Sequence, residues 1–134
     1  MEITMEKSGD AVVVSLAGRL DSATSPEAER RLVDALDSGS RFVYDLEHVE
    51  YVSSAGLRVF LVLAKKLRAR GGAMAVCSLV GNVYEVFEIS GFTSLLRVFS
   101  DRAQALAAIL VMGSFGAGVD DALVLPIRQV IHRG

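Results

Sequence analysis

The stretch AVVVSLAGRLD, residues 11–21, indicates most clearly what kind of fold this chain adopts. Over residues 11–17 apolar side chains recur at every second position and valine is frequent. This pattern predicts a β-strand that ends at Gly18. Residues 2–7 alternate weakly as well, and residues 8–10 (Ser-Gly-Asp) are typical of a turn. We therefore expect an opening hairpin whose first strand lies at the edge of a sheet.

Helix-like and strand-like segments alternate after this hairpin. Residues 25–38 have the apolar spacing of a helix, with Thr24 and Glu27 placed as a capping box. Residues 41–46 resemble a strand and residues 47–53 a connector. The remaining predicted elements are a helix over 55–70, a strand over 73–77, a helix over 80–90, a strand over 96–99 and a last helix from Asp101. The order β-β-α-β-α-β-α-β-α predicts an α/β fold, a mixed β-sheet with about four helices and right-handed crossovers.

Composition narrows the class of protein. The chain has 134 residues, 51% hydrophobic and 22% charged, which is typical of one folded domain. A net charge of −2 argues against a nucleic-acid partner. Residues 103–119 carry no charge, but their glycines favour a short amphipathic helix and a turn over a membrane span. Because the charged start also lacks the apolar run of a signal peptide, we expect a cytoplasmic protein without membrane contacts.

Sequence signals of an enzyme are largely missing. The chain contains no G-x-G-x-x-G, no phosphate-binding P-loop and no G-x-S-x-G nucleophile elbow. One cysteine, Cys77, and two histidines, His48 and His132, offer little material for a metal site. Cys77 is expected to be a buried apolar residue, and both histidines are expected at the surface. We expect no catalytic residue, no metal and no cofactor.

The segment Val52-Ser53-Ser54-Ala55-Gly56-Leu57 lies where the predicted connector becomes the longest predicted helix. Ser53 or Ser54 is a natural N-cap, which is a sufficient structural reason for a serine here. Gly56 is a poor helix former, which suggests that it leaves the first-turn N–H groups open to an approaching group. A helix N-terminus also favours anions, so a phosphate of about −1.5 to −2 charge on Ser54 would be stabilised. Ser54 is therefore a candidate switch.

Four segments in order resemble the STAS domain family, and within it the small anti-sigma factor antagonists. Gly18-Arg19-Leu20-Asp21 resembles the family's Gly-x-Leu-Asp, and Ser53-Ser54-Ala55-Gly56-Leu57 resembles its Asp-Ser-[Ser/Thr]-Gly-Leu. The other two are residues 71–77, which enter a strand, and residues 83–92, which end in Ile89-Ser90-Gly91-Phe92. The resemblance implies a STAS domain over residues 1–111 and a C-terminal extension of unknown structure over residues 112–134. Self-association into a homodimer through this extension is a further hypothesis.

The family resemblance also implies a function. Such antagonists bind an anti-sigma factor that is also a serine kinase, and binding releases a sigma factor. The kinase phosphorylates a serine at the start of the second helix, the phosphorylated antagonist dissociates, and a phosphatase resets it. Ser54 matches that serine, and Asp21 matches the family's loop acid. The residues implied in partner binding are Asp21, Ser53, Ser54, Ala55, Gly56, Leu57 and Arg58.

Two positions depart from the family pattern. Ser53 stands where the family usually has Asp, which removes a negative charge and leaves Ser53 as an alternative acceptor. Ala55 replaces the family's second hydroxyl, so Ser54 is the acceptor that matches the family. Two other functions remain open: a STAS interaction subunit or scaffold without a phospho-switch, transport-associated or signalling, and a nucleotide-binding enzyme on an α/β sheet. The missing phosphate-binding loop argues against the enzyme.

Overall fold

A computed structural model describes residues 1–112, and the structural statements below concern these residues. The strands are β1 (Glu2–Ser8), β2 (Ala11–Leu20), β3 (Arg41–Val52), β4 (Ala73–Cys77) and β5 (Val98–Phe99). The helices are α1 (Ser25–Asp34), α2 (Ser54–Ala69), α3 (Gly81–Ile89), α4 (Phe92–Leu95) and α5 (Arg102–Met112). One sheet has the order β1-β2-β3-β4-β5, with β1 antiparallel to β2 and all later neighbours parallel. The mixed α/β sheet with an opening hairpin is confirmed, and the single-turn helix α4 adds to the four expected helices.

Helices cover both faces of the sheet, as two adjacent residues of β3 show. Side chains alternate along a strand, so Tyr44 and Asp45 point to opposite faces. Tyr44 meets the ring of Phe60 on α2 at 6.1 Å between centroids, whereas Asp45 accepts a hydrogen bond from Arg102 on α5. Phe60 in turn contacts Phe87 on α3. Helices α2 and α3 therefore share one face, and α5 covers the other.

Aromatic rings form a continuous series in the core beneath α2 and α3. Phe42 stacks on Tyr44 at 6.1 Å between centroids, Phe60 lies 5.7 Å from Phe87, and Phe87 lies 6.1 Å from Phe92. These separations are those of favourable aromatic pairs. The Tyr44 hydroxyl is buried and has no hydrogen-bond partner among the described residues. Burial raises the pKa of Tyr44 far above its ordinary value, so the hydroxyl stays protonated.

Two strands are longer than predicted. β2 does not end at Gly18 but continues to Leu20, and Gly18 takes a φ of +113°, which glycine adopts without penalty. Residues 47–52, predicted as part of a connector, continue β3. The register between the two strands shifts twice, which inserts extra residues into β3. As a result Leu20 pairs with Val52, and both strands end beside the start of α2.

The predicted helix over residues 25–38 is divided into α1 and a 3₁₀ turn, Ala35–Ser38. Thr24 is its N-cap but makes no capping bond, so the predicted capping box with Glu27 is wrong. The Thr24 hydroxyl instead donates to the Arg19 carbonyl at 2.7 Å. This bond takes the hydroxyl away from the helix and ties the start of α1 to the end of β2.

An ion pair with a buried carboxylate holds α5 on the sheet. Asp45 is only 5% exposed, and its Oδ2 lies 3.0 Å from Nε and 2.9 Å from Nη2 of Arg102. Arg102, whose side chain is partly exposed, also donates to the Ser15 hydroxyl at 3.0 Å. Removing Arg102 would leave the buried Asp45 carboxylate without its cation, which is destabilising. The contact therefore anchors α5 to β2 and β3.

The expected helix within the uncharged run is α5, described over Arg102–Met112. Among the described residues, no helix has the length and apolar content that crossing a membrane requires. Residues 113–134 lie outside the described part of the chain. The predictions for the extension over residues 112–134, for His132 and for self-association therefore stay predictions.

Tyr44→Phe is expected to leave the protein as stable or to stabilise it by about 1 kcal/mol, because it removes a buried hydroxyl without a partner. The free energy of unfolding from urea titration measures this, with Phe42→Leu as a control that disturbs ring packing alone. If Tyr44→Phe lowers the free energy of unfolding by about 1 kcal/mol or more, the scale of one lost hydrogen bond, the Tyr44 hydroxyl must have a partner. That result would contradict this interpretation.

Candidate functional site

The start of α2 is tied to the end of β2 through the main-chain carbonyl of Leu20. This oxygen accepts from the Ser53 N–H at 2.9 Å and from the Ser53 hydroxyl at 3.4 Å. The same hydroxyl accepts from the Gly56 N–H at 3.4 Å, which makes Ser53 the N-cap of α2. The Ser53 hydroxyl is therefore engaged with the backbone on both sides.

Gly56 allows the close approach of α2 to β2. A Cβ at position 56 would lie 2.6 Å from the Leu20 carbonyl oxygen and 3.1 Å from the Leu20 Cβ. No other residue type fits without displacing that strand end. The expectation that Gly56 opens first-turn N–H groups to an approaching group is thus corrected: Gly56 is buried and its N–H is bonded to Ser53.

Ser54 is the first residue of α2, and its side chain is exposed. Its hydroxyl makes no hydrogen bond with any side chain or backbone group in residues 1–112. The two neighbouring serines therefore differ chemically. Ser53 caps the helix, and Ser54 presents a free hydroxyl at the surface.

The residues expected to bind a partner do not all face outward. Leu57 is 5% exposed and belongs to the hydrophobic core, and Gly56 is buried beside it. These two residues position α2 from the inside. The surface that remains consists of exposed Ser54 and Arg58 with partly exposed Asp21, Ser53 and Ala55.

Asp21 closes the loop that leaves β2. Its Oδ1 accepts the N–H groups of Ala23 and Thr24, each at 3.0 Å, and its own N–H donates to the Thr24 hydroxyl at 3.0 Å. The bond from the Thr24 N–H above all holds the pKa of Asp21 below its ordinary value. Because Asp21 follows Leu20 directly, this closed loop lies beside the capped start of α2.

A pair that sequence reasoning did not single out borders the same surface. The Arg19 guanidinium lies 4.4 Å from the centre of the Tyr51 ring, and its Nε is 3.7 Å from Oδ2 of Asp21. Tyr51 is 38% exposed, so this contact lies at the surface. The strand register pairs Arg19 with Tyr51. Only that long-range register brings them together, so the local sequence carries no signal for the contact.

Other reactive side chains lie apart from this surface. His48 is on β3, exposed, with Nε2 3.9 Å from Glu47 Oε1. Asp45 pairs with Arg102 instead of orienting that histidine. Cys77 is buried, and burial followed by the charge of Asp45 raises the pKa of its thiol to about 12. Neither residue forms a nucleophile with a base.

An open depression of about 450 Å³ lies at the carboxyl ends of β4 and β5, beside the middle of β3. Its lining residues include Asp45, Glu47, Ser78, Asp101 and Arg102. The lining contains three carboxylates and one arginine, and that arginine is already paired with Asp45. The excess negative charge disfavours binding of nucleotide phosphates in this depression. Within residues 1–112 no group of three ligating side chains is placed to hold a metal ion.

Gly56→Ala is expected to destabilise the protein by about 1–3 kcal/mol, because the methyl group overlaps the Leu20 carbonyl. Helix propensity alone predicts the opposite, a gain of about 1 kcal/mol. Chemical denaturation measures the difference, with Ser54→Ala at the neighbouring exposed position as control. A Gly56→Ala protein as stable as the wild type would show that the close approach is not required.

Asp21→Asn is expected to lower the Tm at neutral pH, because the carboxylate is the stronger acceptor for the loop N–H groups. The pKa of Asp21 is depressed in the folded state from 3.8. The ionised group therefore stabilises the fold above that value, and the contribution is lost as pH falls through the lower folded pKa. The Tm difference from wild type should shrink on acidification, while Asp10→Asn serves as control. A Tm difference between the two proteins that stays constant down to pH 3 would contradict a stabilising role of the ionised Asp21 carboxylate.

Comparisons of the sequence with known proteins agree on one family. Residues 2–105 match the STAS domain family. The Bordetella bronchiseptica protein BtrV, assigned as an anti-sigma factor antagonist, is 43% identical over 109 residues, which cover 81% of this chain and 94% of BtrV. The anti-sigma F factor antagonist of Paenibacillus polymyxa is 27% identical over 114 residues, 84% of this chain and 97% of that protein.

A solved structure shares the fold. The crystal structure of an anti-sigma factor antagonist from Mycobacterium paratuberculosis superposes with a TM-score of 0.74 at 25% identity, covering 81% of this chain and 93% of that one. Residues 2–105, which match the STAS domain family, include every strand of the sheet, the capped start of α2 and the closed Asp21 loop. This chain belongs to the STAS domain family.

Proposed function

We propose that this chain is an anti-sigma factor antagonist, a cytoplasmic regulatory binding protein and not an enzyme. It binds an anti-sigma factor that is also a serine kinase, and so releases a sigma factor for transcription. Phosphorylation of Ser54 by that kinase switches binding off, and a phosphatase restores it. The free, exposed hydroxyl of Ser54 at the start of α2 carries the proposal, in a chain whose relatives are named anti-sigma factor antagonists.

The hydrogen bonds favour Ser54 over Ser53 as the phosphate acceptor. Modifying Ser53 would break its bonds with the Leu20 carbonyl and the Gly56 N–H, and would remove the N-cap of α2. Modifying Ser54 breaks no bond in the described part of the chain. A phosphate on Ser54 also lies at the positive end of a 16-residue helix, where an anion is stabilised.

The release step follows from the position of the phosphate. The candidate surface consists of Ser54 at the start of α2, the Arg19–Tyr51 pair and the Asp21 loop at the adjoining strand end, and Arg58. A partner that covers this surface must desolvate whatever Ser54 carries. Taking a dianionic phosphate out of water into an interface costs several kcal/mol. A loss of about 2.7–4 kcal/mol lowers the affinity a hundred- to thousandfold.

The main alternative, a STAS interaction module without a switch, treats the serine as a helix cap. The geometry weakens that explanation for Ser54, because Ser53 already occupies the N-cap. A capping role would place the hydroxyl against a first-turn N–H, and the Ser54 hydroxyl has no such contact within residues 1–112. The exposed hydroxyl therefore needs another reason.

Binding measurements with the kinase-type anti-sigma factor test the proposal. Ser54→Asp is expected to weaken binding at least tenfold, since it places one negative charge in the interface. Ser54→Ala is expected to bind in a way that ATP does not reverse. Isothermal titration calorimetry, with and without Mg-ATP, measures both effects.

Ser94→Asp is the matched control, because it adds the same charge to an exposed serine on α4, near the amino end of β5 and remote from the start of α2. It is expected to bind like the wild type. The proposal fails if Ser54→Asp and Ser54→Ala both bind like the wild type and the wild type takes up no phosphate.

A further inference from the structure

Arg58 is the cation of α2 that lies nearest to its N-terminus. It lies in the second turn of α2, near the positive end of the helix dipole. The other cations of α2, Lys65, Lys66 and Arg68, lie in its second half, where the dipole favours them. α2 contains no acidic residue at all, so Arg58 has no carboxylate three or four positions away on its own helix.

Neighbouring elements do not supply a counter-charge for Arg58 either. Asp21 accepts two backbone N–H groups of its own loop and has Arg19 3.7 Å away. On α1, the helix packed beside α2, Glu27 pairs with Arg30 at 2.6 Å. Arg58 is exposed and makes no ion pair with any residue in the described range.

Ser54 and Arg58 are four residues apart and therefore neighbours on one face of α2. Helical side chains lean toward the N-terminus, so a long side chain covers the turn before its own Cα. The Arg58 side chain is therefore expected to extend toward the turn that contains Ser54. A phosphate and a guanidinium form strong, frequently bidentate hydrogen bonds.

We propose that Arg58 is the internal partner of the phosphate on Ser54, and that it holds the phosphorylated form in a closed ion pair on the surface of α2. The proposal rests on Ser54 being the phosphorylated residue, as in the proposed function. It gives a role to the one cation in the N-terminal half of α2. It also adds a second effect to the switch, because an Arg58 bound to the phosphate no longer offers its guanidinium to the partner.

The second pKa of the phosphate on Ser54 shows whether Arg58 pairs with it. A nearby cation stabilises the dianion and lowers the second phosphate pKa from its usual value of about 6. Phosphoserine is installed at position 54 of the full-length chain during translation, through an expanded genetic code. The phosphate is then titrated by ³¹P NMR at low salt. Arg58→Gln is expected to raise that pKa by about 0.15–0.4 pH unit, the strength of an exposed pair at this helix spacing.

Lys65→Gln is the matched control. It removes one positive charge from the same helix, and on nearly the same face, but about 16 Å from Ser54 at 1.5 Å per residue. That distance exceeds the Debye length at 0.1 M salt, so in a titration repeated at that ionic strength this variant should behave like the wild type. The proposal is supported if Arg58→Gln alone raises the pKa, and it is overturned if the two variants titrate alike.

This experiment is separate from the test of the proposed function. The phosphate is installed without a kinase, so a chain that no anti-sigma factor kinase phosphorylates would refute the proposed function and leave the titration result standing. Conversely, identical titrations of Arg58→Gln and Lys65→Gln would remove the role of Arg58 and leave phosphorylation of Ser54 intact. Both variants change exposed side chains, and circular dichroism confirms that they fold.

Discussion

The carbonyl oxygen of Leu20 determines where α2 begins. It accepts two hydrogen bonds from Ser53, and it leaves room for nothing larger than the hydrogen of Gly56. The strand that carries this carbonyl is in place because β2 extends past Gly18 and pairs with the end of β3. A residue at the first position of α2 therefore has a defined exposure and direction, which is what a modification site read by a partner requires.

The division of work between two adjacent serines follows from that constraint. The Ser53 hydroxyl is engaged as the N-cap of α2. The Ser54 hydroxyl makes no hydrogen bond within residues 1–112 and is available for modification. The usual family acid at position 53 would bring a negative charge beside a negative phosphate. With Ser53 in its place, no carboxylate directly precedes Ser54, and Oδ1 of the loop acid Asp21 already accepts two N–H groups. In the proposed switch the phosphate therefore has no adjacent acid, and Arg58 is its proposed partner.

The local pattern of the chain was enough to predict much of this fold. Period-two alternation in β2 and the apolar spacing of the helices gave the correct element order, because one face of each element is buried. The motif residues around Ser54 indicated the site. The predicted connector over residues 47–53 was wrong, because strand pairing with β2 overrides weak local signals there.

The contacts that shape the site could not be predicted in the same way. The Arg19–Tyr51 contact, the burial of Leu57 and the clash that requires Gly56 all depend on residues about 30 or more positions apart. Thr24 seemed suited to cap α1 from its spacing, yet its hydroxyl is drawn to the Arg19 carbonyl by the turn at Asp21. Such competition between partners is decided by tertiary geometry and not by spacing.

We propose that Ser54 accepts a phosphate while its neighbour Ser53 caps α2. Incubation of the full chain with its anti-sigma factor kinase and Mg-ATP, followed by intact and fragment mass spectrometry, identifies the modified residue. One added phosphate is expected, on Ser54. A phosphate on Ser53 or elsewhere, or none while the kinase binds the chain, would contradict it.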